Sequence, residues 1–202
     1  DLADLFDEHG GVIIENLISA DEIELIKNEI LLMVKQSPLG LDEFEGKSTT
    51  RTGGLIARSK EIRKLVANPL ILAMIKDIFG DETAFQVNQG QLIAIGPGES
   101  PQPIHRDDWL YGQFPFPPGY TGIIQSMWAL TPFTKENGAT LYVPGSHALP
   151  ELTQIVREGK RDRLDYAMNS APGTIRFTPD DAVQMTMDEG SVALSYGKLY
   201  HG

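Results

Sequence analysis

Up to Gly80 the apolar residues recur mostly at helical spacing; beyond it they alternate or gather in short runs. Leu2, Leu5 and Phe6 share one face of an acidic segment and predict an amphipathic helix that stops at Gly10-Gly11. Val12-Ile13-Ile14 then predicts a short buried strand. Ser19-Ala20-Asp21-Glu22 has the form of a capping box, with a serine hydroxyl and a glutamate three residues on, each able to bond the other's backbone N–H. The stripe behind it, Ile23, Ile26, Ile30, Met33 and Val34, keeps intervals of three and four until Ser37-Pro38. Residues 39–54 are polar and glycine-containing, a loop leading into Gly54-Leu55-Ile56-Ala57. Two further short helices are expected, Ser59 to Ala67 and Pro69 to Phe79; the second opens on proline and ends at Gly80.

From residue 84 the period shortens to two. Phe85 to Ile95 alternates as one strand and closes at Gly96-Pro97-Gly98. Gly112 to Gly122 is a long Gly- and Pro-rich loop carrying Phe114, Phe116 and Tyr120. Strands are expected over Ile123 to Leu130, Gly138 to Val143, Thr174 to Phe177 and Ser191 to Leu194, and Leu149 to Ala167 is a polar insertion, partly helical. Helices followed by short strands jointed by Gly and Pro give an α+β class with a jelly-roll-like barrel. There is no internal repeat, and no interdomain linker is visible, so residues 1–202 are expected to form one domain.

Composition removes several alternatives. The chain has 202 residues, 41% of them apolar, which is enough for a substantial core and too apolar for a disordered chain. Its formal net charge of −11 lacks the basic footprint that nucleic acid or an anionic membrane requires. With no cysteine there is no disulfide, no thiolate zinc site and no cysteine nucleophile. No apolar run approaches the roughly 18 residues of a membrane helix, and no signal-peptide pattern opens the chain, so a cytoplasmic location is expected. The chain opens at Asp1 without methionine, consistent with a missing upstream segment. A homodimer is compatible with this composition but not dictated by it.

Candidate chemistry centres on Gln102-Pro103-Ile104-His105-Arg106-Asp107. On an extended segment, residues two apart face the same side, so His105 and Asp107 can aim an imidazole nitrogen and a carboxylate oxygen at one point. That is two thirds of a 2-His-1-carboxylate set, which leaves three positions free on non-haem Fe(II). Only three other histidines are available. His9 closes an acidic helix, where a C-terminal cation is favourable. His147, in Val-Pro-Gly-Ser-His, has the setting of a turn histidine bonded to backbone. His201 follows an apolar strand and a glycine, a suitable way to return a ligand to a barrel mouth.

His105-x-Asp107, then Glu136-Asn137-Gly138-Ala139-Thr140 with Pro144-Gly145-Ser146-His147, then a late strand ending at His201, resemble the phytanoyl-CoA dioxygenase family of Fe(II)/2-oxoglutarate oxygenases. The likeness runs from the Gly-Gly-Val-Ile-Ile strand to the last histidine, is most specific over Trp128 to His147, and is greatest to members that tailor small natural products. It implies a double-stranded β-helix with N-terminal helices packed on it, and a decarboxylating reaction that uses Fe(II), 2-oxoglutarate and O2. Carried over by position, the metal ligands are His105, Asp107 and His201, and Gln102 and Thr140 contact 2-oxoglutarate. The family also fixes the cosubstrate's distal carboxylate with an arginine about ten residues past the second histidine, by a bidentate charge-assisted pair. No residue here matches it, since His201 is followed by Gly202 alone; the arginine and the barrel's closing strands are expected beyond Gly202. Nothing in their spacing selects Arg51, Arg58 or Arg176 as a substitute.

Around this centre, Gln89, Gln91 and Ile93 would share a strand face lining the barrel, and Trp109 and Tyr111 would form an aromatic wall for a small-molecule substrate. Arg106 and Asp108 should point away from the metal, toward an ion pair or solvent. Two readings stay open. One is a dioxygenase oxidising a C–H bond of a small, secondary-metabolite-like molecule; the other is a cupin-like binding domain without turnover. A metal hydrolase is weaker, because no separate general base accompanies the ligands.

Overall fold

The computed structural model describes residues 2–110, 121–149 and 177–202, and places helices and strands together in an α+β arrangement. Contacts group it into two compact units, Asp1–Glu15 with Pro103–Gly202, and Asn16–Gln102.

The Asn16–Gln102 unit is mainly helical. α2 (Ala20–Gln36) begins where the sequence predicts, with both halves of the capping box formed between Ser19 and Glu22. It buries Ile23, Ile26 and Ile30, while Met33 and Val34 are half-buried. α3 (Leu55–Arg58), α4 (Lys60–Val66) and α5 (Pro69–Phe79) follow. Ser59 caps α4, and Asn68 with Pro69 opens α5. Buried Leu55, Ile62, Leu65, Ile71 and Met74 come from these three helices.

Two expectations for this unit change. Residues 49–52, expected in a loop, form β2 (Thr49–Thr52), antiparallel to β3 (Leu92–Ile95). Thr49 and Thr52 are buried because their hydroxyls have partners: Thr49 Oγ1 donates to Glu99 at 2.8 Å, and Thr52 Oγ1 lies 2.7 Å from Ser37 Oγ. The long strand from Phe85 shrinks to Leu92–Ile95, and residues 84–91 carry no regular structure. Gln89, Gln91 and Ile93, expected to face an interior, are exposed; the half-buried face of β3 is Leu92 and Ala94. Gln91 Oε1 accepts from Arg51 at 3.3 Å, so its amide is met by a surface partner.

The other unit is sheet-based and holds the metal-binding candidates. α1 (Leu2–His9) leads into β1 (Gly11–Ile14), which is half-buried rather than buried, with Ile13 exposed. β1 and β4 (Ile124–Trp128) flank β7 (Val192–Tyr196), both antiparallel to it. β7 is buried along its whole length, as its central place requires. A second row pairs β5 (Leu141–Tyr142) with β6 (Val183–Gln184), a strand the sequence pattern missed. Single bridges extend that row from Tyr142 to His201 and from His201 to His105. Ala129, Met185, Met187 and Ala193, with Met127, Phe133 and Tyr142 against them, form a core drawn from both rows. The Gly112–Gly122 loop lies almost wholly outside the described residues, as do the Leu149–Ala167 insertion and the strand expected at Thr174–Phe177.

Candidate metal centre

His105 and His201 are directly opposed in an antiparallel bridge and exchange both backbone hydrogen bonds, His105 N to His201 O at 2.7 Å and His201 N to His105 O at 2.8 Å. Opposed residues carry their side chains on the same face of a ladder, so the pairing brings the two imidazoles together, ring centroids 4.5 Å apart. His201 is held from its other side as well, because Leu141 and Gly202 exchange bonds of 2.7 and 2.9 Å and Val143 N donates to Tyr200 O at 2.8 Å.

Asp107 arrives differently from the extended segment expected. The chain leaves the bridge after His105, and Asp107 opens a 3-10 turn, Asp107–Leu110. The N–H groups of Asp107 and Asp108 donate to Gly197 O at 2.8 and 3.1 Å, which ties the turn to the end of β7. The carboxylate still reaches both histidines, with Oδ1 3.4 Å from His105 Nε2 and Oδ2 3.7 Å from His201 Nε2.

The donor atoms of His105, Asp107 and His201 all lie within 4.8 Å of one another. The ring tautomers suit a cation. His105 Nδ1 is 2.8 Å from Pro103 O and His201 Nδ1 is 2.9 Å from Leu199 O. A carbonyl only accepts, so each Nδ1 carries the proton and each Nε2 presents a lone pair. This carbonyl support behind a histidine is the usual outer partner of a metal ligand. Burial pushes the His201 pKa down, and the neighbouring His105 pushes the same way, outweighing Asp107. For Asp107, burial alone would raise the pKa, but the hydrogen bond and charge that His105 and His201 offer when protonated, with the Gln125 amide, hold it below the ordinary value. With the Nε2 lone pairs free to coordinate, two imidazoles and a carboxylate are the donor set of a divalent first-row metal.

The other residues singled out from sequence fall as follows. Arg106 is fully buried and forks onto Asp108, Nε to Oδ1 at 2.7 Å and Nη2 to Oδ2 at 2.6 Å, the ion pair expected. His147 is the backbone-bonded turn histidine anticipated, with Nε2 2.9 Å from Asp7 O. His9 is exposed at the end of α1. Thr140 is half-buried just before β5, its hydroxyl 3.8 Å from Met127 Sδ. Gln102 donates its amide to Phe44 O at 2.9 Å within the Asn16–Gln102 unit. Trp109 lies in the 3-10 turn after Asp107. Tyr111, Phe114, Phe116, Tyr120 and Arg176 lie outside the described residues.

Two contributors went unrecognised in the sequence. Gln125 donates its amide to Asp107 Oδ2, and Ser195 Oγ donates to Gln125 Oε1 at 3.3 Å. The available signal was a polar Gln125 on the same strand face as apolar Ile123 and Met127. The Pro-Gly-Ser-His motif proves to be a clamp. Gly145, at φ +74°, starts a short 3-10 turn in which Ser146 Oγ accepts the Tyr200 N–H at 2.9 Å, next to His201.

A model of the family described as phytanoyl-CoA dioxygenase (PhyH) matches residues 6–202. The multifunctional dioxygenase prhA of Penicillium brasilianum is 31% identical over 206 residues, covering 98% of this chain and 64% of its own. Dioxygenase FrzG of a Cladobotryum species is 31% identical over 218 residues, covering 98% of this chain and 66% of its own. The chain thus spans about two thirds of the length of these curated relatives. Among solved structures, the epimerase SnoN in complex with Fe3+, alpha ketoglutarate and nogalamycin RO superposes with TM-score 0.71 at 19% identity, covering 99% of this chain and 74% of that one. The non-heme alpha ketoglutarate dependent carbocyclase SnoK from nogalamycin biosynthesis gives TM-score 0.72 at 19% identity, with 99% and 75% covered. At that identity the likeness establishes a shared fold.

Proposed function

The chain belongs to the phytanoyl-CoA dioxygenase family, and on that premise we propose that it acts as an Fe(II)/2-oxoglutarate-dependent dioxygenase on a C–H bond of a small secondary-metabolite substrate. The observation that carries this reading is the convergence of two Nε2 lone pairs and one ionised carboxylate within 4.8 Å, with both Nδ1 protons committed to carbonyls. Support comes from relatives named as dioxygenases and from a fold neighbour solved with Fe3+ and alpha ketoglutarate. With iron bound there, the centre supplies oxidative decarboxylation of 2-oxoglutarate by O2, yielding succinate and CO2 and an oxidised substrate.

The chain's own residues hold and orient. His105 and His201, brought together by their backbone bridge, would hold the cation through Nε2, and Asp107 would supply the charge that offsets it. Gln102 and Thr140 are assigned to 2-oxoglutarate, and Trp109 and Tyr111 to the substrate. Gln89, Gln91 and Ile93 are assigned to the substrate too, as solvent-accessible rather than buried positions. We extend the reading to a closed double-stranded β-helix, a single oxygenase domain and a cytoplasmic enzyme, with a homodimer as its proposed assembly. Among the described residues no helix is long and apolar enough to cross a membrane.

Anaerobic addition of Fe(II) and then 2-oxoglutarate to the purified protein is expected to produce the visible charge-transfer band of the chelate. Replacing His105 or Asp107 with Ala should abolish both that band and succinate formation. Iron-dependent succinate formation surviving in either variant would overturn the assignment, and metal binding without succinate formation would favour a cupin-like binding domain.

A further inference from the structure

Asp107 is gripped from outside the donor set. Gln125, on β4, donates to its Oδ2 while accepting from Ser195 Oγ, on β7. Gln125 and Ser195 are directly opposed in the β4–β7 ladder, so both side chains leave the sheet on one face. The amide's orientation follows from what each neighbour offers. A carboxylate oxygen only accepts, so the NH2 end must face Asp107, and the carbonyl end then meets a hydroxyl able to donate. Ser195 is buried on the central strand, which makes the start of this relay rigid.

Packing does not require the pair. Gln125 lies on the same strand face as Met127, which packs on the Ala129, Met185, Met187 and Ala193 core, and an aliphatic residue would suit that face. A half-buried amide there carries a desolvation cost, offset only because both of its ends are bonded. What the amide adds, and leucine could not, is a donor aimed at one particular oxygen of Asp107.

We propose that Gln125, oriented by Ser195, is a positioning residue that confines Asp107 to binding the metal through a single oxygen. The hydrogen bond occupies Oδ2 on one side and resists the carboxylate rotation that would present both oxygens equally. Two imidazoles and one carboxylate oxygen leave three positions on a six-coordinate ion, enough for a chelating 2-oxo acid and O2 together. A symmetric two-oxygen Asp107 would leave two, and the cosubstrate and O2 could not both bind. The inference rests on reading His105, Asp107 and His201 as a metal centre.

Co(II) binding tests it without turnover. Metal-free wild-type protein, Gln125→Leu and Ser195→Ala are titrated with Co(II) and followed by visible d–d absorption, whose position and shape report the donor set and its distortion. Wild type is expected to bind a single Co(II). Gln125→Leu, with an unchanged melting temperature in the metal-free state, should bind about 10–100-fold more weakly and with an altered d–d band. Ser195→Ala should shift both quantities the same way by less, and should add nothing in the Gln125→Leu background. Wild-type affinity and spectrum in folded Gln125→Leu overturn the proposal and leave the metal centre standing. A wild type that binds no Co(II) overturns the metal centre and the proposal together. Should Gln125→Leu fail to fold, Gln125→Asn, one methylene short of Oδ2, decides: wild-type affinity and spectrum there overturn the proposal.

Discussion

Gly10 is the position where one methyl group would do most harm. Its φ is +80°, and a Cβ built there would lie 2.4 Å from Nδ1 of His147. That ring is buried and cannot withdraw, because its Nε2 holds Asp7 O and its face stacks on Tyr196 at 6.0 Å between centroids. His147 Nδ1 itself finds no hydrogen-bond partner among the described residues. The Gly10→Ala variant should lose about 1–3 kcal/mol from backbone strain and overpacking, read as a lower urea midpoint. Gly53→Ala is the control. Its Cβ meets nothing within 4 Å, and that variant should stay within about 1 kcal/mol of wild type.

Among the elements, α2 shows how much local chemistry can specify. Its start is set by Ser19 and Glu22, where Ser19 N donates to Glu22 Oε2 at 2.9 Å and Glu22 N to Ser19 Oγ at 3.3 Å. Removing the hydroxyl in Ser19→Ala should cost about 1 kcal/mol, measurable by chemical denaturation. Such signals are readable in the chain because every partner lies within four residues. The same holds for Pro69 at the head of α5 and for His105 and Asp107, which share a motif. β2 was illegible for the opposite reason. Its four residues, Thr-Thr-Arg-Thr, look like loop, and what buries Thr49 and Thr52 is Glu99 and Ser37, at separations of 50 and 15 residues. Residues 84–91 mislead the other way, since alternation alone does not make a strand without a partner to pair with. Gln125 stayed hidden because its role needs Asp107, 18 residues back, and Ser195, 70 residues on.

On the scale of the molecule, the sheet-based unit closes its chain on itself through contacts remote in sequence. Tyr196 is the hub. It packs edge-on against Phe6 at 4.5 Å, donates its hydroxyl to Asp7, and so joins α1 to the buried end of β7. Burial, and then the Asp7 hydrogen bond and charge, push the Tyr196 phenol above its ordinary value of 10.0. A group with a raised folded pKa stabilises fully below the unfolded value, and that contribution is lost as pH rises past it. Stability should therefore fall above about pH 10 in wild type and fall less steeply in Tyr196→Phe, which urea midpoints between pH 8 and 11 would register. The bridge between His105 and His201 bears on how such chains can diverge. A ladder alternates faces at every residue, so a one-residue slip of Tyr200–Gly202, which bonds to Leu141, Val143 and His105, would turn the His201 imidazole to the opposite side. The register of that short run is therefore under a parity constraint, with single-residue slips lethal to the centre even where each substitution is tolerated. Segments far from the bridge carry no such constraint, and length variation among relatives should concentrate there.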